Sequence, residues 1–299
     1  TLTINGTGHN VAISGENMTR ILYVDSGNLT LNGVTLRNGY DASYGGAIYA
    51  NASTLSIHNS TFSENNSTNG GAIYSTSGGS LSINDSTFSK NRAWGNGGAI
   101  YDNLGGDLTV NSSFFTGNYG YAGAAIYNLG NYNSNLNIAN STFVGDISSI
   151  GGNIHNDKTI QINIYNNTFS NENCDAGCIY GQVFYNRSIN SNIYNNLFRE
   201  IYDKIITNDT LVFDYGNNLR DNYSSFETWV PYVSNLYLGS LGDYGGDTQT
   251  FPLLPGSPAI DAGYSSTCQT TDQRGVSRPQ GSGCDIGAFE TQGFTLSKA

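Results

Sequence analysis

Charge is scarce in this chain: Asp, Glu, Lys and Arg together make up 12% of its 299 residues, and the formal net charge is −11. The 12 basic residues are scattered singly from Arg20 to Lys298. Without a Lys/Arg cluster there is no footprint for nucleic acid or an anionic membrane. No run approaches the roughly 20 apolar residues needed to span a bilayer, so no membrane insertion is expected of this segment. A basic stretch followed by an apolar one is also missing at Thr1, where a strand-like pattern has already begun with Leu2 and Ile4. The chain therefore reads as an excised or mature part of something larger. Proline is absent from the first 230 residues; all five (Pro231, Pro252, Pro255, Pro258, Pro279) fall after them. Cysteine occurs only as the groups Cys174/Cys178 and Cys268/Cys284, with no His at zinc-ligand spacing. Disulfides within each pair, in an oxidising compartment, are the expectation.

What the chain has in abundance is Asn, Ser, Thr, Gly and Tyr, the last two at 38 and 21 residues. A disordered polar chain is excluded because apolar residues recur at fixed intervals and can offset chain entropy. Two interleaved motifs repeat with a period near 26 residues. The first is Gly-Gly-Ala-Ile-Tyr, complete at Gly45–Tyr49, Gly70–Tyr74 and Gly97–Tyr101, and degraded at Gly123–Tyr127, Gly151–His155 and Gly177–Tyr180. Its apolar position gives the column Leu22, Ile48, Ile73, Ile100, Ile126, Ile154, Ile179 and Ile206, at spacings of 25 to 28. The second motif is apolar-x-apolar, a polar turn, then Phe: Leu55 and Ile57 to Phe62, Leu81 and Ile83 to Phe88, Leu108 and Val110 to Phe115. It continues to Phe143, Phe169 and Phe198, with Leu29, Leu31 and Leu36 as an early copy.

Each period thus holds three short strand-like pieces. None can bury a face alone, but coiling the chain so that equivalents stack buries a continuous column. The expected fold is all-β: a right-handed parallel β-helix, a single-stranded β-solenoid with rungs of about 26 residues over 1–215. Its hand follows from the preference of parallel crossovers. Leu/Ile and Phe should point inward, alternating with outward Ser, Thr and Asn. Asn69-Gly70-Gly71 and Asn96-Gly97-Gly98 should supply positive-φ corners. An exposed end rung would recruit another chain, so residues 216–291, where the period fades and proline appears, are expected to form a cap. The cap is expected to be held by Cys268–Cys284.

These repeats, together with Asn59–Phe62 and Asn65 and with Asn84–Phe88 and Asn91, resemble those of polymorphic outer-membrane proteins and adhesin-like surface proteins. The runs Leu241–Thr250, Ser257–Gly263, Thr271–Gln280 and Cys284–Glu290 are similar to the choice-of-anchor Q surface proteins, with Phe251 standing where His is usual. The resemblance implies an extracellular, cell-surface location, adhesion or display, and a linker toward a further domain beginning at 292–299. It implies no catalytic residues.

A β-helix can also house polysaccharide lyases and hydrolases, whose sites need carboxylates clustered on outward positions of adjacent rungs. Here the rung carboxylates are sparse, and Asp102 and Asp107 lack acidic counterparts one period away. His155 replaces a Tyr in its column and reads as a ladder residue. Asp243, Asp247, Asp261, Asp272 and Asp285 lie in Gly-rich turns; Asp272–Arg274 or Asp285–Arg278 pairing accounts for them, and a structural calcium ion is the alternative. The column Tyr23, Tyr49, Tyr74, Tyr101, Tyr127 and Tyr180 follows the inward Ile and so should face outward. Its rings either stack on one another or, at Tyr49, Tyr74, Tyr101 and Tyr127, bind sugar rings. Fourteen Asn-x-Ser/Thr sequons, Asn59, Asn84, Asn140 and Asn166 among them, leave N-glycosylation open. The expected function is a non-catalytic adhesion or display module of a larger surface protein, meeting glycans or components of host or neighbouring cells through its lateral face. A polysaccharide-degrading enzyme is the first alternative, and a spacer or self-associating filament subunit the second.

Overall fold

Strands pair along the chain in the register set by the repeat. In a computed structural model, which describes all residues except 104–105, 132, 173–182, 189, 202–204, 209–212, 223–229 and 293–299, and only the backbone of 206–208 and 213–215, every ladder between the rung strands is parallel. Leu29, Leu55, Leu81, Leu108, Leu136 and Ile162 form one ladder; Leu31, Ile57, Ile83, Val110, Ile138, Ile164 and Ile193 form its neighbour. The architecture is a parallel β-solenoid that, among the described residues, has four sheets: nine strands carrying the Leu/Ile pairs, nine carrying Phe, eight carrying Ile-Tyr, and a short sheet of five. The Phe rings at 62, 88, 115, 143 and 169 stack at centroid separations of 4.8–4.9 Å, the repeat of the coil itself. All are fully buried in one core, where each contributes about 1.5–3 kcal/mol of transfer free energy.

Corners explain the polar part of the repeat. Gly33, Asn59, Asp85, Ser112, Asn140, Asn166, Asn195 and Asn217 hold φ between 44° and 63°, one residue per rung, where Gly, Asn and Asp are tolerated best. The residue after each corner is turned inward: Ser60, Ser86, Ser113, Ser141, Asn167, Asn196 and Asn218 accept the backbone N–H of the preceding rung's equivalent. At the next corner Asn65, Asn91 and Asn118 do the same and donate Nδ2 to the following member, ending on Asp146. The inward Ser and Asn side chains beside the bends thus satisfy backbone N–H groups rung by rung.

Four expectations are corrected. Each of the central rungs has a fourth strand, from Tyr40–Tyr44 to Ile147–Ile150, in place of three pieces. The Ile column continues from Ile154 to Phe184 and then Ile206, so Phe184 takes the place assigned to Ile179. Tyr185 likewise takes that of Tyr180; Ile179 and Tyr180 lie outside the described residues. In Gly70-Gly71 and Gly97-Gly98 only the first is positive-φ, 63° at Gly70 and 68° at Gly97. The second gives room, because a Cβ on Gly71 would meet the Gly98 carbonyl.

Strand pairing runs on to Arg220, and Val230 closes the core beyond it. From there the chain turns back along the outer face of the Phe sheet. Thr248 Oγ1 donates to Ser112 O, Thr142 Oγ1 donates to Gln273 Oε1, and Ala288 N and Gly287 N donate to Thr168 Oγ1 and Asn195 O. Phe251 packs with Phe114 and Val144; Leu236, Leu253, Ile286 and Phe289 pack with Leu197. Phe rather than His at 251 fits these apolar surroundings. Cys268 and Cys284 form the expected disulfide, whereas Cys174 and Cys178 lie outside the described residues.

Candidate ligand-binding faces

The Ile-Tyr sheet carries the ladder picked out by the repeat. Alternation sends Ile48, Ile73, Ile100 and Ile126 inward and Tyr49, Tyr74, Tyr101 and Tyr127 outward, in register. The rings lie nearly parallel at 4.8–5.5 Å, and His155 continues the stack between Tyr127 (4.6 Å) and Tyr185 (4.4 Å). Each inner ring thereby gives its faces to its neighbours and offers a ligand its edge and hydroxyl. Tyr74 is nearly covered, because Tyr44 leans over it at 4.5 Å and Asn103 Nδ2 donates to its hydroxyl at 2.7 Å. Tyr23, at the N-terminal end of the ladder, stays 63% exposed. Burial raises the phenol pKa of Tyr49, Tyr74, Tyr101 and Tyr127, so the hydroxyls stay protonated donors. It pushes His155 down to about 4, with Arg187 adding to the shift, and the imidazole is neutral at physiological pH.

Asp102 does not face solvent. It occupies the inward column of Ala50, Ser75, Asn128 and Asn156, and burial raises its carboxyl to about 7. Asp146 is raised to about 7 by the same cause, against the lowering effect of the N–H and amide of Asn118 and the amide of Asn153. Neither reaches a groove.

The concave regions beside the C-terminal segment include two of similar size. One, of about 420 Å³, is bounded by outward residues of the Leu/Ile sheet, including Asn111, Asn137, Asn163 and Tyr165, and by Gln269–Thr271. Its floor is an amide ladder in which Asn192 donates to Asn163 and Asn163 to Asn137. The other, of about 410 Å³, includes Arg199, Glu200 and Asp221. Burial raises the Asp221 carboxyl and that of nearby Glu172. Both acids are engaged: Glu172 pairs with Arg199 at 2.8 Å, and Asp221 accepts Glu200 N–H.

In the C-terminal segment the carboxylates hold turns. Asp272 pairs with Arg274 at 2.6 Å and accepts Val276 and Glu290 N–H; Asp261 accepts Gly283 N–H; Asp243 accepts Gly245 N–H. The alternative Asp285–Arg278 pair is corrected. Arg278 pairs instead with Glu290 at 3.0 Å, both side chains fully buried, and meets Asp285 only at its carbonyl. Among the described residues no three metal-ligating side chains gather. Sequon residues Asn140 and Asn166 are buried, which closes them to glycan attachment in the folded chain, while Asn59 is exposed.

The reading of the sequence passed over the exposed aromatic residues of the short sheet, Tyr40, Tyr44, Trp94, Tyr119 and Tyr121. Their signal is the segment after each inward Asn: Arg92-Ala93-Trp94 after Asn91, and Tyr119-Gly120-Tyr121 after Asn118.

The family model of the Chlamydia polymorphic membrane protein repeat matches residues 59–76 and 85–103. Both stretches run from the positive-φ corner through Phe and the inward Asn to the Ile-Tyr strand, so they are the same part of successive rungs. No curated protein matches the chain. Among solved structures, the crystal structure of pectate lyase Pel9A is similar over 96% of this chain and 85% of its own, at 17% identity and a TM-score of 0.43. No helix among the described residues is long and apolar enough to cross a membrane.

Proposed function

We propose that the chain is a non-catalytic adhesion and display module of a larger cell-surface protein, and that its lateral face binds glycans. The observation that supports this best is the rod itself: Tyr49, Tyr74, Tyr101 and Tyr127 repeat one outward phenol per rung on a face that the C-terminal segment leaves free. Equivalent weak contacts at a fixed spacing build affinity through avidity rather than through one deep pocket. Surface display is drawn from the polymorphic membrane protein repeats and from the likeness of the C-terminal segment to choice-of-anchor Q proteins.

A second reading, a polysaccharide lyase or hydrolase, rests on the acidic concavity around Arg199, Glu200 and Asp221. A glycan array run beside a reducing-end release assay on uronate polymers separates the two. Saturable glycan binding without turnover, weakened by Tyr49→Ala plus Tyr127→Ala, is the expected result. Turnover abolished by Asp221→Asn would overturn it in favour of an enzyme. Silence in both assays would overturn it in favour of a spacer or filament subunit.

A further inference from the structure

On the short sheet, inward positions are small or polar, and outward ones range from Ala42 and Thr68 to the large side chains of Arg92, Tyr119 and Tyr121. Ala93, Gly120 and Ala122 face the core, while Arg92, Trp94, Tyr119 and Tyr121 face solvent. Trp94 is 60% exposed and Tyr121 52%, and Tyr40 and Tyr44 extend the strip toward the N-terminal rungs. Pairing places Tyr40 beside Asn66, Asn66 beside Arg92, and Arg92 beside Tyr119. The Arg92 guanidinium lies 3.8 Å from the Trp94 ring centroid and 4.9 Å from that of Tyr119.

Arg20 makes the informative contrast. It too lies over aromatic rings, those of Tyr23 and Tyr49, but Asp41 neutralises it at 2.7 Å. Arg92 has no ion pair among the described residues, in a chain of net charge −11. Lys90 stands two residues before it in the adjoining corner, with Glu64 at the equivalent corner one rung earlier. A cation held between the rings of Trp94 and Tyr119, with Tyr40 two rungs before it, matches an anionic pyranose chain. The apolar C–H faces of the sugars lie against the rings, and a carboxylate or sulfate meets the guanidinium in a charge-assisted pair. A neutral glycan would leave Arg92 unused.

We infer that the strip of Tyr40, Tyr44, Arg92, Trp94, Tyr119 and Tyr121 is the binding site for an acidic polysaccharide running along the rod. This deepens the glycan-binding reading and rests on it. The test measures binding of the full chain to immobilised polygalacturonate, heparin and dextran by interferometry, for wild type, Arg92→Gln, Trp94→Ala and a charge-matched control, Arg37→Gln, exposed at the end of the strand Val34–Arg37 of the Phe sheet. Binding to polygalacturonate or heparin should weaken about tenfold or more in Arg92→Gln and in Trp94→Ala and stay unchanged in Arg37→Gln. The polymer that responds tells carboxylate from sulfate recognition. Unchanged melting of the variants separates lost contact from lost fold. Acidic-polymer binding that Arg92→Gln leaves intact, or dextran bound as tightly as either polyanion, would overturn the site while leaving the adhesion reading in place. Binding to none of the three polymers would remove both.

Discussion

The outer face of the Phe sheet exists in two versions, and the difference between them shows how the rod is finished. In the N-terminal half, Thr61, Ser63, Thr87 and Ser89 point outward and stay partly exposed. In the C-terminal half the same positions become Phe114, Val144 and Leu197, all buried beneath residues 236–289. Between them Thr142 and Thr168 remain polar, but each bonds to the returning segment. The inward face is the same in both halves, Phe upon Phe. One sheet therefore serves as a solvated wall in its first rungs and as a docking surface in its last. The proposed binding strip lies on another sheet and runs from the rungs of the solvated wall, at Tyr40 and Arg92, to the first covered rung, at Tyr119 and Tyr121.

The largest expected effect comes from the pair that holds the returning segment together. Arg278→Ala leaves Glu290 buried without its partner and should cost about 3–5 kcal/mol. Hydrogen exchange should show the loss confined to the covered half, at Thr142–Val144 and Thr168–Ser170, with Thr61–Ser63 still protected. Next comes a matched pair on one ladder. Phe114→Ala should cost about 3 kcal/mol because a filled apolar contact is emptied. Thr87→Ala, its neighbour in register, should change stability by less than about 0.5 kcal/mol. Urea midpoints at constant m-value decide it. Reducing Cys268–Cys284 should cost about 2–3 kcal/mol, again in the covered half, as seen by melting with and without reductant.

A last expected effect concerns pH. Asp102 and Asp146 are raised from the ordinary carboxylate range to about 7, so the folded chain keeps protons that the unfolded chain releases between about pH 4 and 7. Their contribution makes stability fall as pH rises through that window and level off above it. His155, depressed to about 4, works in the opposite direction between about pH 4 and 6.5. The difference between wild type and Asp146→Asn isolates the carboxylate: its stability gain over wild type should grow from pH 4 to 7.5, read as a widening gap in melting temperature.

How much of this was legible in the sequence depended on whether a column repeats one kind of side chain. Leu/Ile, Phe and Tyr recur at nearly every rung, so the coil, its inward residues and the aromatic ladder could be read directly. The short sheet could not: its inward residues, such as Ser67, Ala93 and Gly120, are too small to print an apolar period. The rung after Ile154 is 30 residues long, and Ile179 lay at the usual spacing while the true partner, Phe184, lay five residues further on. The switch to Phe114, Val144 and Leu197 was visible, but single apolar substitutions in a Thr/Ser column do not reveal what covers them. Arg278–Glu290 was unreadable because a fold-specific turn network, not spacing, selects the partner.

The claim that function lies along an extended uncovered face can be tested by titrating the chain with an acidic oligosaccharide series of increasing length. Affinity should climb with each added sugar until the ligand is about as long as the strip from Tyr40 to Tyr121, four strands or roughly 14 Å at about 4.8 Å per rung, and then level off, with no reducing ends released. Full affinity already in a mono- or disaccharide, or cleavage of the longer members, would contradict it.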